Sequence, residues 1–143
     1  MTSEAFRNNP LFLRNQFEGE GTFQIPIVKK QHVNVETITL IGYDHVKPEE
    51  KEFTHAMVHF FLDDYKFEVL WNHPEPRLEK LKQYKAVLTP QYSLYTEMPI
   101  TLQIYNTFRN RWVGAYLQSN GITVIPTMCW GEPQSFWFCF DGV

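Results

Sequence analysis

Apolar and polar positions follow two periods along this chain, and the change from one to the other marks its elements. Residues 37–43, 57–62, 86–89, 122–125 and 136–140 are short apolar or β-branched runs closed by Asp, Pro, Gly or Asn, and they predict five buried strands. Phe23, Ile25 and Ile27 alternate with Gln24 and Pro26 at period two. Because Pro26 cannot donate to a ladder, 23–27 reads as an edge strand. Between the runs the period lengthens. Behind Asp63 and Asp64, read as a pair of caps, 66–71 predicts a short helix, and Pro76 opens another over 76–84. Ile100, Ile104, Phe108, Trp112 and Tyr116 recur at i, i+4 spacing after Pro99, which predicts a long helix from 99 to 118, ended by Asn120 and Gly121. Only 44–54 lacks a helical pattern.

Strand, helix, strand, helix, strand is the order of βαβ crossovers, and near-continuous apolar strands belong to a sheet covered on both faces. The expected fold class is α/β, with a mostly parallel sheet that forms part of a TIM-barrel-like wall or an open sheet, plus the N-terminal edge strand. Residues 1–21 mix polar turn formers with Leu11, Phe12, Leu13 and Phe17, and read as an irregular arm laid on a single domain over 22–143.

With 143 residues and 43% hydrophobic content the chain can build one core. Twelve Phe, seven Tyr and four Trp exceed the needs of such a core, so some rings are expected at a partner surface or beside a ligand. A net charge of −3 argues against coating nucleic acid, although a local basic patch stays open. No apolar run reaches the roughly 18 residues of a membrane span, and the start lacks the order of a signal peptide. A cytoplasmic location away from membranes is the expectation, with Cys129 and Cys139 as free thiols.

In parallel α/β folds ligands bind beyond the carboxyl ends of the strands. The residues placed there are Asp44; Asp63 and Asp64; Gln91, Tyr92 and Ser93; Thr127, Cys129 and Trp130; and Asp141. Four carboxylates on one rim can hold Mg²⁺ or Mn²⁺, or act as paired acid and base. Taken singly, each Asp is read first as a cap or turn residue, and only their coincidence on one rim favours chemistry. His55 and His59, both on one strand, would lie about 13 Å apart, too far to share an ion. On the long helix Arg109 and Arg111 can hold a phosphate beside a stacked base. The competing reading is a solvated face whose stems pack on rings. Asn106, with Gln103 and Asn110, shares one face able to seal a crevice by hydrogen bonds. Fingerprints of dinucleotide oxidoreductases, P-loop NTPases and α/β-hydrolases are missing.

The segments His59-Phe60-Phe61-Leu62-Asp63-Asp64-Tyr65-Lys66-Phe67-Glu68, Thr89-Pro90-Gln91-Tyr92-Ser93-Leu94-Tyr95, Tyr105-Asn106-Thr107-Phe108-Arg109-Asn110-Arg111-Trp112, Trp130-Gly131 and Phe138-Cys139-Phe140-Asp141-Gly142 closely resemble the domain-of-unknown-function family numbered 4417, found in bacteria, their phages and mobile elements. The resemblance implies no assignable activity. It does expose two departures: Gln91 and Trp137 stand where the family pattern carries acids, and a Gln cannot act as a general base. Members of that family are also expected to continue beyond Gly142, while a full eight-unit barrel needs about 250 residues.

Two functions follow as expectations. The first is a binding protein that meets a host or phage macromolecule through aromatic rings, or pairs as a homodimer through the C-terminal sheet edge. The second is a metal-dependent hydrolase of nucleotide or nucleic-acid phosphates, with Asp44, Asp63, Asp64 and Asp141 on the ion and Arg109 or Arg111 on the phosphate.

Overall fold

The computed structural model describes residues 1–47 and 53–143. Its first elements are two short helices, α1 (Ser3–Arg7) and α2 (Pro10–Leu13), capped by the side chains of Thr2 and Asn9. Neither helix buries a residue of its own. A small antiparallel pair follows, β1 (Gly19–Glu20) with β2 (Ile25–Pro26). The expected edge strand is therefore short and joins this separate ribbon rather than the main sheet.

The main sheet holds β3 (Thr39–Gly42), β4 (Phe53–His59), β5 (Tyr84–Leu88) and β6 (Val124–Ile125) in chain order, every pair parallel. It is open, and the expected parallel α/β class is the one observed. Between β4 and β5 lie α3 (Glu68–Asn72) and α4 (Leu78–Leu81), each preceded by a 3-10 turn. Between β5 and β6 lies α5 (Ile100–Ser119). Sequential strand order with crossovers of one hand places all these helices on one face. On that face Ala56, Val58, Val87 and Val124 pack against Phe67, Leu70, Trp71, Leu81, Trp112, Val113 and Leu117. Among the described residues no helix covers the other face, contrary to the covered-sheet pattern. There Met57, Ala86 and Leu88 are sheltered by Val33 and Ile38 from the segment before β3, and Leu40 stays exposed.

Three further expectations change. Residues 136–140 are not a strand: Pro133–Trp137 form a 3-10 turn, because Pro133 removes a ladder donor and the Ser135 hydroxyl donates to the Glu132 carbonyl at 2.7 Å. The strand expected over 57–62 runs instead from Phe53 to His59, so His59 closes β4 and 60–62 belong to the loop after it. The helix expected over 76–84 shrinks to α4, and Tyr84 already belongs to β5. The helix-free reading of 44–54 falls partly on 48–52, which lie outside the described residues.

Edges decide what a sheet can join. The outward N–H of Val124 on β6 donates to Oε1 of Gln31 at 2.7 Å, and Gln118 on α5 holds Gln31 in place. The last strand is thus met by a side chain of its own chain.

Candidate functional site

Parallel strands bring 43–45, 60–66, 89–98 and 126–131 to one end of the sheet, and hydrogen bonds tie these loops together. Asp64 accepts the Ser93 backbone N–H at 3.0 Å and the Ser93 hydroxyl at 2.8 Å, joining the loops after β4 and β5. The Thr89 and Thr127 hydroxyls meet at 3.0 Å, and Gln91 donates to the Met128 carbonyl, joining the loops after β5 and β6. Lys66 reaches Asp44 at 3.3 Å. Gly42 at the end of β3 leaves room for the Asp44 carboxylate, since a Cβ there would sit 2.6 Å from its Oδ1 and push it aside.

Beneath this rim, α5 turns its polar side inward. Asn106 donates to the Ser93 carbonyl at 2.7 Å and accepts from Nε and Nη2 of Arg109. Arg109 Nη1 donates to both Glu68 oxygens at 2.8 and 2.9 Å, and its guanidinium lies 3.9 Å from the Tyr92 ring centroid. Arg111, 1% exposed, donates to the carbonyls of Thr127, Cys139 and Asp141 and to Oδ1 of Asn110. Burial pulls its pKa down to about 10, so it stays a cation at neutral pH. Burial likewise pushes the Tyr92 phenol far above its ordinary range. The solvated-face reading of these arginines is overturned: the helix side richest in hydrogen-bonding groups faces the core, and the amides seal the sheet end. Both guanidinium groups are engaged by acceptors of the chain itself.

The four carboxylates do not converge. Asp63 is exposed and makes no side-chain cap bond, Asp64 is bonded to Ser93, and Asp44 is paired with Lys66. Asp141 follows a turn and lies against Gly21, where burial and then Glu20 raise its pKa. Among the described residues no three His, Cys, Asp or Glu are grouped to hold a metal ion.

What the rim presents instead is rings. A shallow cleft of about 250 Å³ opens between Phe61, Leu62, Gln91, Ser93, Tyr95 and Cys129. Beside it Tyr95 is 62% exposed and Phe61 and Trp130 56% each, and at the end of the Pro133–Trp137 turn Trp137 is 83% exposed. Phe140 links Trp130, at 6.2 Å between centroids, to Phe136 at 5.5 Å. Gln91 thus lies at a loop crossing, and Trp137 carries the most exposed ring of the 133–137 turn. Sequence reasoning placed Trp130 here but missed Phe61, Tyr95 and Trp137, whose signal was an apolar residue at the mouth of a loop rather than within a strand.

An open parallel α/β domain with an aromatic lip is the class that fold and rim define. The chain belongs to the family described as Domain of unknown function (DUF4417), whose model matches residues 17–143. It is 43% identical over 136 residues to the Gene 1 protein of Mycobacterium phage L5, across 93% of this chain and 58% of that protein. To the Gene 1 protein of Mycobacterium phage D29 it is 39% identical over 136 residues, across 93% of this chain and 49% of that protein. The chain spans about half the length of these curated relatives. No solved structure matches it. No helix among the described residues is long and apolar enough to cross a membrane.

Proposed function

We propose that the chain is a binding module that docks a host or phage protein on its aromatic rim. One observation carries the reading: Phe61 and Tyr95 leave their rings open beside the cleft, and Trp130, Phe136, Trp137 and Phe140 leave theirs open along 130–140, the segment that follows β6. At ~200 Å² per aromatic side chain, these exposures amount to several hundred Å², a size that marks interaction sites on soluble domains. The loops beneath are cross-bonded and ready-shaped, so little ordering entropy opposes docking. The hydrolase reading draws no comparable support, because Asp44 and Asp64 are bonded to Lys66 and Ser93, Asp141 lies against Gly21, and among the described residues no three acidic or ligating side chains are grouped.

The test compares partner capture by the wild-type chain and by Trp130→Ser/Trp137→Ser. A partner recovered by the wild type and reduced at least tenfold by the double variant, with an unchanged melting temperature, is the expected result. Equal recovery by both overturns the reading. For the hydrolase, a metal at 100 times its Kd would add ~2.7 kcal/mol to stability. Millimolar Mg²⁺ or Mn²⁺ is expected to leave the melting temperature where it was.

A further inference from the structure

Building on that docking surface, we infer that the segment it receives is basic: a polypeptide stretch that presents arginine or lysine between apolar residues. The rim is aromatic and acidic at once. From Ala86 to Phe108 and again from Trp112 to Val143 the sequence contains no Lys or Arg. The two loops that carry most of the open rings, 89–98 and 126–141, therefore bring Glu97 and Glu132 to the surface without a cation. Asp63 adds an exposed carboxylate on the loop after β4, where Lys66 is already paired with Asp44. None of Asp63, Glu97 and Glu132 forms an ion pair among the described residues.

A second observation is independent of this charge count. Inside the fold, ring faces are already matched with guanidinium groups: Arg14 lies 3.6 Å from the Trp71 centroid and 4.2 Å from that of Trp112, and Arg109 lies over Tyr92 and Tyr105. Among the described residues no Lys or Arg lies over Trp130, Trp137 or Tyr95. Exposed indole faces beside unpaired carboxylates attract a cation twice, through the ring quadrupole and through the opposite charge. The acidic border also steers a basic partner and repels an acidic one. Nucleic acid fits poorly for the same reason: its bases could stack on the rings, but its phosphates would meet Glu97 and Glu132 on loops that carry no Lys or Arg, with Lys66 on the neighbouring loop paired to Asp44.

The experiment uses the full chain labelled with ¹⁵N at physiological salt. Three 12-residue peptides are titrated, alternating Leu with Arg, with Gln or with Glu, and an oligothymidylate forms a fourth arm. The Arg peptide is expected to shift resonances of 89–98 and 126–140 and to bind at least tenfold more tightly than the Gln peptide, with the Glu peptide and the oligonucleotide inactive. Glu97→Gln/Glu132→Gln is expected to weaken the Arg peptide severalfold, and Trp130→Ser/Trp137→Ser to abolish the rim shifts. Equal binding of the Arg, Gln and Glu peptides at the rim overturns the inference and leaves the docking reading standing. Binding of the Arg peptide elsewhere, absence of any rim shift, or rim binding by the oligonucleotide overturns the inference, and the capture comparison then decides the docking reading separately.

Discussion

Arg111 holds the chain's C-terminal turns to α5 by bonding three backbone carbonyls that have come from far along the sequence. Arg111→Ala leaves those buried acceptors and Oδ1 of Asn110 without this donor, and a loss of about 3–4 kcal/mol is expected in urea unfolding. Tyr92 works in the opposite sense. Its hydroxyl is buried with no hydrogen-bond partner among the described residues, so Tyr92→Phe is expected to hold stability or raise it by about 1 kcal/mol. Asp141 gives a pH dependence. Burial, with Glu20 second, holds its folded pKa above the ordinary carboxylate value, so the folded state keeps the proton more tightly than the unfolded chain. Stability is then full below the ordinary value and falls as pH rises through the raised one. Asp141→Asn should therefore raise the urea midpoint at pH 7 and leave it unchanged at pH 3.

At the scale of elements, α5 shows what a sequence pattern carries and what it conceals. Its ends were legible, because Pro99 cannot continue a helix backwards and Asn120-Gly121 breaks it. Its inward face was not. The i, i+4 stripe at Ile100, Ile104 and Phe108 is only half-buried, while Gln103, Asn106, Arg109, Asn110 and Arg111 are buried. Periodicity counts apolar residues, and this face is polar yet satisfied by loops from 93, 127, 139 and 141, contacts that no local pattern records. The strands of the main sheet were legible from short runs that are apolar on both faces, such as Met57-Val58, Ala86-Val87-Leu88 and Val124-Ile125, although β4 starts at Phe53, ahead of the expected 57, and ends at His59, short of 62. Residues 136–140 read as one more such strand, and only Pro133 and Ser135 betrayed the turn. The same helix packs too closely for a methyl group at Gly114, where a Cβ would lie 2.6 Å from Thr89 and 2.8 Å from Val28. Gly114→Ala should cost about 1–3 kcal/mol in spite of its better helix propensity, as measured by thermal or urea unfolding.

For the whole molecule, helices confined to one face leave the carboxyl end of the sheet as the place where loops from three strands meet. That end was foreseen from strand order, and so were Gln91, Ser93 and Trp130 on it. A shared carboxylate site there did not form: Asp44 is taken by Lys66 and Asp64 by Ser93, Asp63 stays exposed, and Asp141 lies against Gly21. The exposed rings take up part of the aromatic surplus of the composition, and on the proposed reading the rim is a surface for docking another protein. Site-specific photo-crosslinking tests that claim most directly. A benzophenone side chain placed at Trp137 or Tyr95 in the full chain is expected to give one discrete protein adduct, the same from both positions, with none from Glu79 on α4. Equal adducts from Glu79, or none from either rim position while another surface crosslinks, would contradict it.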